Sequence, residues 1–438
     1  MSSTPVVAVA AEHAVYRKIA WRLIPFLLLC YMLATIDRFN IGFAKLQFLH
    51  DLKLDDAVYG IAAGIFSVGY VAFEVPSNLL LERVGVRRTL LRIMVLWGMV
   101  TCLLMFAQSA MHLYILRFLL GVAEAGFFPG ILLYLTYWFP DRLRGRMTSL
   151  FVMAVPVGGI ISGPLSGWVM SRFQAVGGFH GWQWLFLTEG APAILFGVVA
   201  FFYLSDDAAS AHWLSDEEKN RVLADLATDR QSRPAKSASF RDALRDPKVY
   251  VLAFIYFAYF CSLNTILLWG PSVLKAVAGQ TVSSIGWISG GISLVSTIGM
   301  VVVGYSSDRY LERRWHVALC GFAAAICFLL LPLVVGSLIL TIVVLTIASV
   351  GIFGVLSLFW TIPSAYLSQS AAAGGLALIS SIGAFGGAVS PAMIGAVRVQ
   401  TGSLYIGLAL VALLLVIGML ALLVCIPASN ARSYHASH

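Results

Sequence analysis

The chain has 438 residues, 60% of them hydrophobic and 11% charged, with a mean hydropathy of +0.88 and a formal net charge of +8. Soluble domains carry about 25% charged residues, so a water-soluble enzyme or carrier is excluded for the bulk of the chain. The positive charge is not a nucleic-acid footprint, because the bases sit in short loops between apolar runs and not along one polar face.

A helix needs about 20 apolar residues to cross the hydrocarbon core. By that measure twelve spans are predicted, at about 20–44, 58–81, 89–108, 112–137, 147–171, 183–204, 249–273, 283–305, 316–336, 338–361, 375–397 and 402–426. The expected fold is all-α and integral to the membrane. The first run is too long for the apolar core of a signal peptide and shows no small-residue cleavage site, so it is expected to be a retained helix. The one long polar stretch, 205–248, divides the spans six and six. The expected organisation is therefore a bundle over 1–204, a cytoplasmic linker with a short helix over 205–248, and a second bundle over 249–438. In the linker, Ser215-Asp216-Glu217-Glu218 after Trp213-Leu214 has the spacing of a capping box.

Most of the 29 Lys and Arg fall in segments on one side. Five fall on the other (Lys45, Lys53, Arg172, Lys275, Arg398), and two, Arg38 and Arg117, fall within spans. This asymmetry predicts both termini in the cytoplasm.

One motif occurs twice. Glu82-Arg83 followed by Arg87-Arg88 ends the second span, and Asp308-Arg309 followed by Arg313-Arg314 ends the eighth, 226 residues on. Gly158-Gly159 with Pro164 and Gly386-Gly387 with Pro391 repeat at nearly the same offset. Two related membrane halves facing a central site is transporter architecture. The acid–Arg pairs are expected to act as gating elements that hold one face shut and break when it opens; anchoring of positive charge at the inner surface is a parallel role for the arginines.

Charge at membrane depth is costly and needs a reason. Asp37 and Arg38 lie in the first span and point about 100° apart, so one can face a helix while the other faces a cavity. Glu74 and Glu189 lie nearer span ends. Arg117 and Glu124 are two turns apart on one face, with Gly121 between them expected to leave that face open. A carboxylate substrate competing for an arginine would free the acid to take a proton, which links the two binding events. A static ion pair is the alternative for Arg117 and Glu124. With its bidentate fork, Arg38 is the first candidate to grip a carboxylate, then Arg117. The second half has no charge at depth but offers Tyr256, Tyr259, Asn264, Trp269, Ser357, Trp360, Ser364, Ser380 and Ser381, aromatics and hydroxyls able to stack on and hydrogen-bond an organic body.

The six cysteines fall in apolar runs with no CxxC pair, and the eight histidines fall in loops, tails or span ends. No HExxH, GxSxG or Walker motif is present. No metal, cofactor or enzymatic activity is expected.

The duplicated loop motif resembles the signature of the major facilitator superfamily. Within it, Asp37-Arg38-Phe39-Asn40-Ile41-Gly42-Phe43-Ala44, Glu74-Val75-Pro76-Ser77-Asn78, the stretch from Arg117 to Gly130 and Gly181-Trp182-Gln183-Trp184-Leu185-Phe186-Leu187 resemble the anion:cation symporter branch, most closely its bacterial tartrate, phthalate and hydroxyphenylacetate permeases. The resemblance implies proton-coupled uptake of a small organic carboxylate by alternating access, carried out by a monomer in a bacterial cytoplasmic membrane. It further implies that Asp37 and Glu124 carry protons, that Arg38 contacts the substrate carboxylate, and that Arg117 and Tyr70 belong to the site. An exchanger or exporter on the same fold is the alternative. Asn78 stands where the wider superfamily has glycine. Ser380 and Ala384 stand where relatives carry asparagine, which favours a less hydroxylated or aromatic acid.

Overall fold

The structure is a computed structural model, and it describes residues 4–232, 245–277, 279–366 and 372–426. The first-half helices are α1 (Thr4–Asp51), α2 (Asp56–Val84), α3 (Val86–Leu104), α4 (Ala110–Glu124), α5 (Phe127–Thr136), α6 (Asp141–Val152), α7 (Ala154–Arg172) and α8 (Gly181–Tyr203). The linker holds α9 (Asp216–Ser232). The second half comprises α10 (Pro247–Ala276), α11 (Val282–Tyr310), α12 (Arg314–Val334), α13 (Leu338–Phe359), α14 (Thr361–Tyr366), α15 (Ala372–Ala384), α16 (Gly386–Thr401) and α17 (Leu404–Cys425).

Among the described residues, eleven helical stretches are long and apolar enough to cross a membrane. The twelfth expected span, α3, falls outside that group, with Arg87, Arg88 and Arg92 in its first two turns. It nevertheless packs lengthwise on α8. Trp21, Phe202, Leu333 and Val424 are each at least three-quarters exposed. Apolar surface of that kind is stable against lipid and unstable against water.

Helix starts follow local chemistry. Asp55, Ser109, Thr281 and Ser337 each accept a hydrogen bond from the backbone N–H three residues on. Four spans are broken mid-way: the fourth at Ala125-Gly126, the fifth at Met153, the tenth at Trp360 and the eleventh at Phe385. By the internal repeat these are two corresponding pairs, so the interruptions follow the duplication.

The linker helix carries the expected box: Ser215 Oγ accepts from Glu218 N at 3.2 Å and Glu218 Oε2 accepts from Ser215 N at 2.9 Å. The helix is fastened to the first half. Trp213 stacks on Trp138 at 5.5 Å, the Arg22 guanidinium sits 4.9 Å from Trp213, and Tyr16 donates to Asp225 at 2.7 Å. Lys18 pairs with Glu218 at 2.7 Å, and that ammonium holds the Glu218 carboxyl below its ordinary range.

The two halves meet along seams of bare backbone. α2 lies on α16, where a Cβ on Gly60 or Gly64 would collide with the carbonyl oxygens of Pro391 and Ala388. α7 lies on α11, where a Cβ on Gly163 would lie 2.6 Å from the Gly286 carbonyl oxygen. Only glycine permits this approach. The α2–α16 seam lies at the end of the bundle away from α9, called here the distal end. Gly286→Val should wedge α7 from α11, costing about 1–3 kcal/mol in stability and widening the distal end. Melting in detergent and spin-label distances across the seam measure both effects; an unchanged distance distribution would count against the seam as the closure.

Candidate functional site

Glu124 is the last residue of α4. The chain breaks immediately after it, Gly126 taking a left-handed φ of +85° with Ser77 so close that a Cβ would not fit. A carboxylate at a helix C-terminus faces the negative end of the dipole, so its charge must be held from elsewhere. It is held by Arg38 of α1, whose Nε and outer nitrogen both lie 2.6 Å from Glu124 Oε1. Glu124 is fully buried and its Oε2 has no partner, whereas the Arg38 side chain remains 30% exposed. Tyr70 of α2 lies under the guanidinium at 5.0 Å and Phe66 at 5.9 Å.

One residue earlier on α1, Asp37 points into the bundle. Its carboxylate accepts from Trp97 Nε1 at 2.9 Å, Thr101 Oγ1 at 3.2 Å and Asn40 Nδ2 at 3.0 Å. Adjacent residues thus face opposite surroundings, a sealed one for Asp37 and a partly open one for Arg38.

Arg117 does not pair with Glu124 as their shared helix face suggests. It is buried, donates Nε to Ala62 O at 3.3 Å, stacks 4.8 Å from Phe66 and acts electrostatically on Asp37. Its Nη1 has no hydrogen-bond partner. Gly121 does not leave an open face either. A Cβ there would strike the Phe66 carbonyl and lie 2.9 Å from Tyr70 N, so this glycine serves the close approach of α4 to α2. The physical reason is that α2 fills the space beside α4, and the arginine of α1 reaches Glu124 first.

A further buried base escaped the sequence reading. α1 continues to Asp51, so Lys45, expected in a loop, is helical and 3% exposed. It lies two turns beyond Arg38 on the same face, a spacing that could have signalled it. Lys45 Nζ lies 3.3 Å from Asp56, 4.0 Å from the Tyr59 ring and 3.4 Å from the Trp269 ring. Trp269 is fully buried there, edge-on to Tyr59 at 5.1 Å. The structure therefore places Trp269 in the distal seal and not beside Arg38. Arg398 of α16 reaches across the halves to Asp56 at 3.2 Å, and Tyr59 donates to Leu268 O at 2.8 Å.

The remaining candidates are scattered. Asn264 donates to Phe260 O at 2.9 Å and faces Gly387 together with Ser67. Trp360 packs 4.8 Å from Tyr256. Ser380 and Ser381 are exposed on α15, and the Ser364 side chain lies outside the described residues. Of the gating candidates, Glu82, Arg83 and Arg88 are exposed. Arg87 donates Nε to Phe201 O at 2.8 Å and its backbone N–H to Asp206 at 3.0 Å. In the second copy Arg313 pairs with Asp308 and donates to Ser307 at 3.0 Å, while Arg309 is exposed.

Residues 27–391 match the family model described as Major Facilitator Superfamily. The chain belongs to the Major Facilitator Superfamily. This transporter is 44% identical to a putative metabolite transport protein, NicT, of Pseudomonas putida over 89% of each chain. It is 43% identical to a putative tartrate transporter of Agrobacterium vitis over 94% of this chain and 91% of that one. It is 37% identical to a quinolone resistance transporter of Acinetobacter baumannii over 93% and 94%. Among solved structures, a D-xylose–proton symporter superposes with TM-score 0.75 at 14% identity, covering 94% of this chain and 99% of that one. A bacterial homologue of the lysosomal transporter Spinster superposes with TM-score 0.71 at 18% identity, covering 98% and 97%. The fold is that of the family, and homologues of such a chain are transporters, not enzymes.

In this transporter the Lys45–Asp56–Arg398 cluster bridges the halves at the distal end, beside the hydrogen bond from Tyr59 to Leu268 O. Asp56→Asn leaves two cations facing each other around a neutral amide, Lys45 without solvent, at a cost of about 1–3 kcal/mol. Labelling of Ala388→Cys by an impermeant maleimide should speed up several-fold in that background. Equal labelling rates would mean the cluster does not hold the distal end shut.

Proposed function

We propose that this transporter takes up a small organic carboxylate together with protons, by rocking the halves 1–204 and 249–438 about the central cluster while the linker 205–248 joins them. The observation that carries the reading is the Arg38–Glu124 pair: a fully buried acid hydrogen-bonded to a guanidinium that is itself partly open. A substrate carboxylate that takes the Arg38 fork leaves Glu124 without its cation, and a proton is what can replace it at that depth. Asp37, with Arg117 acting on it, is the second acid of the coupling. Tyr70 and, from the second half, Asn264, Trp360 and Ser380 supply the body of the site; the Tyr256–Phe359–Trp360 cluster offers stacking surface suited to an aromatic or lightly hydroxylated acid.

The printed names of relatives as tartrate transporters support an organic anion as the class of cargo. The charge asymmetry supports a bacterial cytoplasmic membrane with both termini inside, and the protein is proposed to work as a monomer. The acid–Arg motifs, from Glu82 to Arg88 and from Asp308 to Arg313, are proposed to close the face on the linker side in the opposite state.

The test is uptake into proteoliposomes with an internal pH dye, the cargo first chosen by thermal shift against tartrate, phthalate, hydroxyphenylacetate and sugar acids. Carboxylate uptake should acidify de-energised vesicles; uptake without proton movement would favour exchange and defeat the symport reading. Glu124→Gln should abolish accumulation driven by a pH gradient while sparing counterflow. Arg38→Lys should raise the substrate Kd about tenfold or more, since an ammonium cannot form the fork and a charged hydrogen bond contributes about 1.5–3 kcal/mol. Unchanged Kd would remove Arg38 from the grip.

A further inference from the structure

Glu189 of α8 has no part in the mechanism above, yet among the described residues it is a buried acid with no ion pair. It is 5% exposed, and its Oε2 has no partner. Oε1 has only a long hydrogen bond from Ser166 of α7, 3.4 Å. Around it stand Asp37 and Asn40 of α1, both of which act on it. α3 is pressed against the next residue: a Cβ on Gly98 would lie 2.6 Å from the Gly190 carbonyl oxygen, and Cys102 borders the same contact. Among the described residues no ion pair joins Glu189 to a cation: Arg38 is held by Glu124 and Arg117 donates to Ala62 O.

Asn40 is the key to the arrangement. Its Nδ2 donates to Asp37 Oδ1 at 3.0 Å, while its Oδ1 is buried and has no donor. Two buried atoms of this region are therefore without a partner, an amide oxygen that needs a donor and, on Glu189, a carboxyl oxygen that needs either a donor or a hydrogen of its own. Buried polar atoms of this kind are rare and ask for an explanation. With the amide oxygen turned towards it, a protonated Glu189 would give its O–H to Asn40 Oδ1 and satisfy both. Asp37, which already accepts three hydrogen bonds, is the better-held carboxylate of the two.

We infer that Glu189 is a further proton-holding site of this transporter, tied to Asp37 through the Asn40 amide. The two acids titrate as a pair: a proton arriving on Asp37 weakens its hold on Asn40, and turning the amide over presents an N–H to an ionised Glu189.

The site stands on its own geometry, and only its part in transport rests on the symport reading. Infrared difference spectra of the full-length protein in lipid test it. At neutral pH one component of the protonated-carboxyl carbonyl band should vanish in Glu189→Gln. In Asn40→Leu, which removes the acceptor, the same component should move to higher frequency; this second variant serves if the first does not fold. A band unchanged in both folded variants, or in Asn40→Leu alone where Glu189→Gln does not fold, overturns the inference. The two ideas fail separately. Carboxylate uptake without proton movement, with the Glu189 component in place, defeats symport and leaves the site; proton-coupled uptake with the band insensitive to either variant defeats the site and leaves symport.

Discussion

Everything in this molecule is arranged around the difficulty of keeping ions in hydrocarbon. A carboxylate buried as deeply as Glu124 persists only with a counter-charge at hydrogen-bond distance. Arg38 supplies it from another helix, so the pairing spans α1 and α4 and depends on how those helices stand. The glycine contact of α4 with α2 fixes that stance. The break after Glu124 leaves the carboxyl at the end of a helix and not within a continuous one. Sequence-level glycines, a mid-membrane kink and a charge pair are thus parts of one device.

The distal seal obeys the same constraint by different means. Lys45 is buried, but Asp56 neutralises it and the faces of Tyr59 and Trp269 surround its ammonium. Aromatic faces attract a desolvated cation. Arg398 on the same carboxylate joins the second half to this arrangement. Electrostatics at this end serves adhesion between halves, whereas at Arg38 it serves exchange of partners; the difference lies in whether a member of the cluster stays partly open.

The architecture was legible because it rests on local signals. Apolar run length marked the helices, the Ser215–Glu218 box marked the linker helix, and the repeated acid–Arg motif marked the duplication. The family likewise followed from short motifs such as Asp37-Arg38-Phe39-Asn40. Partner choice was not legible. Arg117 and Glu124 share a face by periodicity, yet the arginine that reaches Glu124 comes from 86 residues away, and no spacing rule encodes which helix is the neighbour. Lys45 was misplaced because a lysine near a span end reads as a loop residue until Asp56 is found beside it. Trp269 has the composition of a binding-site aromatic; only packing assigns it to the seal.

The seams between halves have one further meaning. Where glycine meets carbonyl there are no interlocked side chains to withdraw and no rotamers to rearrange, and the carbonyl oxygens at the contact already belong to helical ladders. Water entering such a crevice finds those carbonyls provided for, so parting the glycine contacts strands none of them. A joint of that kind comes apart cleanly and re-forms in the same register, which suits a machine that must repeat one motion for each molecule it moves.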